Sequence, residues 1–169
     1  VTNCSNTFGP WQFPEKLIPL TILKILKGEK IPIYGNGLQI RDWLFVEDHV
    51  NALILIASKG IKGGDYCIGG NSEMTNLKIV KKIIEITNKK SNADYDFNEL
   101  ISFVEDRPGH DLRYAIDFKK INKELNWNPS YSFENALEST IDWYLNNQDW
   151  CKRVQKNANY NSERLGSIN

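Results

Sequence analysis

The chain has 169 residues, which is enough for one domain with a substantial hydrophobic core. Its 21 basic and 21 acidic residues cancel, which argues against a general nucleic-acid or membrane-surface binder but leaves room for a local basic pocket. No apolar run reaches membrane-spanning length, so no membrane partner is expected. The composition therefore indicates an ordinary globular domain.

Cysteine usage indicates a reducing compartment. Cys4, Cys67 and Cys151 are odd in number, far apart in sequence and without a Cys-x-x-Cys pair. This pattern suggests neither a disulfide framework nor a zinc site, and no other metal-ligand spacing occurs. We expect a cytoplasmic protein without a bound metal ion.

The first residues suggest that the chain starts inside a folded element. It opens on Val1-Thr2, without a methionine or a polar leader, as if within a strand. This start predicts the C-terminal part of a longer protein, although a trimmed chain would look the same.

Residues 3–19 form the most conformationally restricted stretch. The chain turns at Gly9-Pro10 and enters a helix behind Phe13-Pro14. Glycine permits a φ that other residues avoid, and each proline restricts itself and the residue before it. The stretch is either a rigid polar loop or one wall of a ligand pocket, since loops on a rigid scaffold carry binding groups. The pattern alone favours neither.

Helices are predicted where apolar residues recur at helical spacing. They cover residues 15–27, ended by Gly28, then 47–58, and 76–88 after a cap at Ser72 or Thr75. A short helix is predicted over 118–125, and a last one runs from residue 132 to about 145 or past 150.

Short strands fill the intervals, over residues 1–4, 31–34, 39–45, 65–68, 101–105 and 113–116. The turn signal at 35–37 predicts a hairpin between 31–34 and 39–45. Residues 89–99 are predicted to be a surface loop, and 156–169 a disordered tail after a folded portion over 1–155. Alternating strands and helices predict the α/β class. No Gly-x-Gly-x-x-Gly follows a strand, so a complete dinucleotide-binding half is not expected.

Three polar loops each carry one basic residue beside turn-forming residues, namely Lys16, Arg41 and Arg107. An arginine fork matches a phosphate in two-point geometry, and a lysine adds a point charge, so their convergence would make a diphosphate site. The alternative is that each arginine pairs with its sequence neighbour, Asp42 or Asp106, and braces its own loop.

Aromatic and histidine side chains leave similar alternatives open. Tyr34 could stack on a base or a sugar, or it could be a core tyrosine with a satisfied hydroxyl. His110 could bind phosphate or be structural, and His49, at a helix start, is expected to be structural.

Several motifs together resemble the dTDP-glucose 4,6-dehydratases, a family of extended short-chain dehydrogenases that act on nucleotide sugars. The run Phe13-Pro14-Glu15-Lys16-Leu17-Ile18-Pro19 is the most specific of them. Residues 3–19, 32–37, 40–49 and 106–114 match the family in order, and the resemblance spans residues 1 to about 147.

The resemblance implies the C-terminal portion of an extended short-chain dehydrogenase fold, mainly its small mixed α/β substrate domain. It implies NAD as cofactor, a dTDP-sugar as substrate, a homodimeric parent and a role in deoxysugar biosynthesis. The family oxidises the sugar at C4, eliminates water across C5–C6 and returns the hydride to C6. No Tyr-x-x-x-Lys occurs, so no catalytic residue is expected in this chain, which alone should be inactive. A nucleotide-sugar 4-epimerase or decarboxylase domain, and a non-catalytic nucleotide-sugar binding module, are the alternatives.

What the resemblance transfers to this chain is substrate binding. It places Thr7 where the family usually has an asparagine near the nicotinamide, so Thr7 is a candidate cofactor contact. The implied substrate-binding residues are Asn6, Lys16, Leu17, Pro32, Ile33, Tyr34, Arg41, Asn76, Asp106, Arg107, Pro108, Gly109 and His110. Asn76 opens a predicted helix, whose backbone N–H groups would also favour phosphate.

Overall fold

Strands and helices alternate along the chain in a computed structural model that describes residues 1–91 and 95–160. The first half contains β1 (Thr2–Cys4), β2 (Asn6–Phe8), α1 (Leu17–Lys27), β3 (Ile31–Tyr34), β4 (Ile40–Phe45), α2 (Val46–Lys59) and β5 (Tyr66–Ile68). The second half contains β6 (Glu73–Thr75), α3 (Asn76–Ser91), a 3-10 helix (Phe97–Leu100), β7 (Ile101–Val104), β8 (Arg113–Tyr114), α4 (Lys119–Leu125), α5 (Phe133–Asn146) and α6 (Gln148–Asn157). The α/β class is confirmed.

Strand pairing is mostly parallel and joins distant parts of the chain. β4 pairs in parallel with β2 and β8 and antiparallel with β6, while β1 pairs with β5 and β3 with β7. The predicted hairpin between β3 and β4 is therefore wrong. Gly35 and Gly37, both at positive φ, turn the chain away, and the Gly35 N–H donates to Val104 O at 2.9 Å, continuing the β3–β7 pairing.

Two hydrophobic cores lie on opposite faces of β4. Trp43 and Phe45 pack into the main core with α1, α3 and α5, whereas Leu44 packs into a second core with α2, β5 and α4. The alternation follows from the two-residue period of a strand. Because both faces are covered, β4 is held firmly in register, and so are the polar residues at its start.

Local chemistry explains where α1 begins and ends. Pro19 lies within the first turn, where its missing N–H has no helical partner to lose. Gly28 adopts the left-handed conformation at φ 64° and its N–H donates to Ile25 O at 3.0 Å, as expected for a glycine stop. The predicted helix over 15–27 is confirmed apart from its first two residues.

Four features differ from the sequence prediction. Residues 6–8 form β2 rather than loop, because they pair with the buried half of β4, and β6 was not predicted. The predicted surface loop over 89–99 includes the end of α3 and most of the 3-10 helix, and residues 92–94 lie outside the described residues. The last helix breaks at Asn147 into α5 and α6.

The folded portion also extends beyond the predicted boundary at residue 155. Helix α6 continues through Asn157, and the Tyr160 ring lies 5.5 Å from the Phe13 ring between centroids. The remainder of the predicted disordered tail, residues 161–169, lies outside the described residues.

Within the described ranges, no helix combines the length and the apolar character that crossing a membrane requires. The same ranges contain no group of three or more His, Cys, Asp or Glu side chains placed to hold a metal ion. All three cysteines are free thiols, with Cys151 buried and the other two half-buried.

Candidate functional site

The carboxyl ends of two parallel strands bring part of the predicted site together. β3 and β7 pair with Tyr34 opposite Val104, so the chain leaves both strands at the same edge. After β3 the chain turns at Gly35, and after β7 it continues into the loop that carries Asp106 and Arg107. This edge of a parallel sheet is where α/β proteins commonly bind ligands.

Arg41 is a buried cation on β4. Its residue is only 7% exposed, and its Nη1 donates to Ile40 O at 2.7 Å. No carboxylate within the described part of the chain forms a salt bridge with it. Burial lowers the pKa of the Arg41 guanidinium, Asp111 raises it, and the positive charge of Arg107 lowers it. The charges of Asp111 and Arg107 therefore both act on Arg41, in opposite directions.

The neighbouring aspartates bind other groups, and among the described residues neither forms a salt bridge with the arginine beside it in sequence. Asp42, 1% exposed, accepts the backbone N–H groups of Gly70 and Ser72, each at 2.8 Å. The prediction that each arginine braces its own loop by pairing with its sequence neighbour is wrong. Among the described residues both guanidiniums lack a salt bridge, which is the arrangement an anion site requires.

Asp106 organises the loop that follows β7. Its Oδ1 accepts from His110 Nδ1 at 2.6 Å and from the Arg107 backbone N–H at 2.9 Å. Its Oδ2 accepts from Gln39 Nε2 at 2.7 Å. The hydrogen bond from His110 is the main reason why the pKa of Asp106 is lowered. A Cβ at Gly35 would lie 2.7 Å from Oδ2, so only glycine fits beside this carboxylate.

Sequence reasoning missed Gln39. The only available signal was a polar residue, in the Gln39-Ile40-Arg41 run, at the start of a mostly buried strand.

The N-terminus of α3 is already capped by the protein. The Asn76 N–H donates to Gln39 O and the Leu77 N–H to Gly37 O, both at 3.0 Å, and the Lys78 N–H donates to Thr75 Oγ1 at 3.2 Å. Thr75, rather than Ser72, is thus the side-chain cap. Because these N–H groups already have acceptors in the protein, the expectation that they favour phosphate is wrong. The half-buried Asn76 side chain is the group that remains available to a ligand.

The start of α1 approaches the same edge. Lys16 precedes the helix with a 59% exposed side chain and forms an ion pair with Glu15. The pKa of Tyr160 is raised mainly by burial, and also by electrostatic interaction with Glu15 and Tyr34. Tyr160 was not predicted as a site residue.

Two of the predicted apolar contacts face the protein interior. Ile33 is buried in the main core, and Leu17 packs against that core. Pro32 and Tyr34 alternate with Ile33 along β3 and are half-buried, so they present the accessible face of this strand.

Asn6 and Thr7 lie on β2 and form a separate group. Thr7 Oγ1 is 3.4 Å from both Ser5 O and His49 Nδ1 and 3.7 Å from Cys4 Sγ. Burial lowers the pKa of His49 and so favours its neutral form. Within the described ranges, no hydrogen bond or ion pair joins Asn6 or Thr7 to Lys16, Arg41 or Arg107.

A family model described as GDP-mannose 4,6 dehydratase matches residues 1–140. The chain belongs to this family. A dTDP-glucose 4,6-dehydratase of Escherichia coli is 51% identical over 99% of this chain and 47% of its own length. The chain therefore spans about half the length of the curated relatives it matches.

Solved structures of relatives share the fold. A dTDP-glucose 4,6-dehydratase from Bacillus anthracis, in complex with NAD, is 45% identical with a TM-score of 0.81 over 91% of this chain and 46% of that one. A UDP-glucose 4-epimerase from Thermotoga maritima, with UDP-glucose, is 26% identical with a TM-score of 0.77 over 88% of this chain and 46% of that one. Both similarities assign the chain to the C-terminal portion of the extended short-chain dehydrogenase fold.

For a chain of the GDP-mannose 4,6-dehydratase family, the residues present fit only one edge of an NAD site. The glycine-rich loop that cradles a dinucleotide is absent from the sequence. Thr7 offers a half-buried hydroxyl whose three hydrogen-bond partners in the protein all lie at long distances.

One cavity between helices lies away from these residues. It has a volume of about 730 Å³ and lies at the C-terminal end of α1, among residues 25–28, Thr87 and Phe97.

Proposed function

We propose that this chain is the sugar-nucleotide-binding portion of an NAD-dependent dTDP-glucose 4,6-dehydratase. The observation that carries the proposal is the buried Arg41 guanidinium, which has no salt bridge among the described residues and lies within electrostatic range of Arg107. Two such cations match the two phosphates of a nucleotide diphosphate. Identity of 51% to a dTDP-glucose 4,6-dehydratase, against 26% to a UDP-glucose 4-epimerase, favours the dehydratase over its sister enzymes.

The binding roles follow from where each side chain lies. Arg41 and Arg107 bind the diphosphate, and the Asn76 amide donates to it. Tyr34 and Pro32 form the exposed face of β3 against the nucleotide. Lys16, with its largely exposed side chain, and Asn6 contact the sugar.

This chain holds the sugar nucleotide rather than performing the proton transfers. A bound NAD would supply reversible hydride acceptance, from sugar C4 and back to C6. Thr7 is the candidate contact to the cofactor from this side, with neutral His49 beside its hydroxyl. Tight binding of the diphosphate fixes the distance of the sugar ring from the cofactor, and such positioning accounts for much of an enzyme's rate enhancement.

The proposal extends to the setting of the enzyme. Three free thiols suit a reducing cytoplasm, and the balanced charge suits a small-molecule ligand rather than a nucleic acid. A homodimer is proposed from the family resemblance.

Replacement of Arg41 by Met tests the diphosphate site in the full-length protein. A charged hydrogen bond of this kind contributes about 1.5–3 kcal/mol, so we expect dTDP to bind roughly 10- to 150-fold more weakly, measured by calorimetric titration. Arg113→Met is the matched control, because Arg113 forms a two-point ion pair with Glu73 at 2.7 Å for each contact. Equal affinities in all three proteins would refute the site.

Product analysis in the same preparations tests the reaction. The wild-type protein with NAD should convert dTDP-glucose to a 4-keto-6-deoxy sugar, and Arg41→Met should do so only at raised substrate concentration. An epimerised sugar would instead support the 4-epimerase alternative. Binding of dTDP without any turnover would support a non-catalytic binding module.

A further inference from the structure

We propose that Gln39 and Asp106 are positioning residues: their hydrogen bond fixes the loop that carries Arg107 at the spacing from Arg41 that a diphosphate requires. The inference rests on the proposed function and adds Gln39 to it. It also gives Asp106 a role different from the substrate contact that the family resemblance implies.

The contacts of Asp106 are all internal to the protein. One carboxylate oxygen accepts from His110 and from the Arg107 backbone, and the other accepts from Gln39 at 2.7 Å. An ionised carboxylate only accepts hydrogen bonds, and the phosphates of a nucleotide are themselves acceptors. Towards the diphosphate, Asp106 therefore acts through Arg107 and not by direct contact.

Gln39 joins the two arginine-bearing segments. It lies two residues before Arg41, and its backbone oxygen accepts from the Asn76 N–H at 3.0 Å. Its side chain spans 67 positions of sequence to reach Asp106. Gln39 thus connects the start of α3 through its backbone oxygen, and the loop after β7 through its side-chain amide, to the start of β4; these segments carry Asn76, Arg107 and Arg41.

The burial of Gln39 argues for a specific role. The residue is 3% exposed, and its Oε1 is buried without a hydrogen-bond partner. An unsatisfied buried oxygen destabilises a fold, so the amide is not explained by stability alone. The same oxygen is inaccessible to solvent and hence to a ligand. The function of the side chain must therefore come from its Nε2 donor, which bonds to Asp106.

The charges around Arg41 do not by themselves fix the position of Arg107. The charge of Asp111 raises the pKa of Arg41 while that of Arg107 lowers it, so attraction and repulsion oppose each other at the buried guanidinium. Arg107 is on an exposed loop, and the Gln39–Asp106 hydrogen bond ties that loop to the covered strand β4. Its loss should let Arg107 move away and weaken the binding of the diphosphate.

Gln39→Leu removes the donor and the unsatisfied oxygen while keeping a side chain of similar volume. In the full-length protein we expect about tenfold weaker dTDP binding with an unchanged or higher midpoint of urea denaturation, because the fold loses an unsatisfied buried group. Gln148→Leu, on exposed α6, is the matched control and should change neither value. A lower midpoint with unchanged dTDP affinity would overturn the inference in favour of a structural role.

An exchange of donor and acceptor provides the rescue. Gln39→Glu alone sets two carboxylates against each other and should weaken dTDP binding at least as much as Gln39→Leu. Combining it with Asp106→Asn restores the hydrogen bond in the reverse direction, keeps Oδ1 as the acceptor for His110 and Arg107, and leaves the net charge unchanged. The double variant should regain affinity to within about threefold of the wild type. Additive losses in the double variant would overturn the inference.

Hydrogen exchange separates this inference from the proposed function. The Arg107 N–H is bonded to Asp106, so its exchange in the ligand-free protein should accelerate in both single Gln39 variants and slow again in the double variant. If that pattern appears while the wild type does not bind dTDP, the positioning stands and the proposed substrate fails. If dTDP binds but neither exchange nor affinity responds to the Gln39 variants, the positioning fails.

Discussion

At the scale of single residues, the candidate site depends on which charges already have partners. Arg113 is neutralised by Glu73, whereas Arg41 and Arg107 form no ion pair in the described part of the chain. The sequence contains all three arginines in similar polar surroundings and does not distinguish them. Asp42 forms no salt bridge with Arg41, because both of its oxygens already accept hydrogen bonds from backbone N–H groups.

Asp42→Asn should destabilise the protein. The change removes the charge and places an amide NH₂ opposite the backbone N–H of Gly70 or Ser72. We expect the free energy of unfolding to fall by about 2–3 kcal/mol. Urea denaturation followed by tryptophan fluorescence measures the loss. Asp149→Asn, at a side chain that is 99% exposed, is the control and should change the value by less than about 0.5 kcal/mol. Equal stability of the two variants would contradict the role of Asp42.

At the scale of elements, the helices α5 and α6 hold the loop that leads from β2 into α1. The Trp11 ring lies 4.8 Å from that of Trp143 and 5.3 Å from that of Trp150, between centroids. Trp11 adopts φ 67°, a strained conformation for a residue with a side chain, which this aromatic packing offsets. Residues 3–19 are therefore rigid because of tertiary packing as well as their glycine and prolines.

Tyr144→Phe tests this attachment. The Tyr144 hydroxyl donates to Gln12 O at 2.6 Å, and Gln12 Nε2 donates to Thr7 O at 2.8 Å, so α5 is linked through the loop to β2. Loss of the buried hydroxyl leaves the Gln12 carbonyl without this donor, and we expect the free energy of unfolding to fall by about 1–2 kcal/mol in urea denaturation. Tyr95→Phe, at an exposed tyrosine, should leave it unchanged. A similar loss in both variants would argue against a specific role for the hydroxyl.

At the scale of the whole molecule, surface charge makes stability depend on pH. Donors from lysine, arginine, histidine or backbone N–H groups hold the pKa of many carboxyls below their ordinary values of 3.8 for Asp and 4.5 for Glu. These carboxyls are Glu29, Asp65, Glu73, Glu85, Asp96, Asp106, Asp117 and Glu134. A folded-state pKa below the unfolded one means that the unfolded chain binds more protons as the pH falls.

The contribution of these carboxyls to the free energy of unfolding should therefore be fully present above about pH 4.5. It should decline as the pH falls through their lowered pKa values. Burial lowers the pKa of His49 from its ordinary value of 6.5. This histidine should add a smaller decline in the free energy of unfolding, which begins below pH 6.5 and ends at the lowered pKa. Urea midpoints across this range measure both. The acid decline should shrink in about 0.5 M salt, which screens exposed pairs, and His49→Gln should abolish only the earlier decline. A decline that is insensitive to salt would contradict the assignment.

The class, the approximate limits of most helices and the glycine stop of α1 were predictable from the sequence, because they depend on neighbours within a few residues. The motifs of the dehydratase resemblance were also visible there, and the family match over residues 1–140 confirms them. Three features became visible only in the folded chain: β3 pairs with β7 rather than β4, Asp42 forms no salt bridge with Arg41, and Gln39 bonds to Asp106 across 67 positions. Strand partners and side-chain burial arise from contacts between distant segments, which no local pattern encodes.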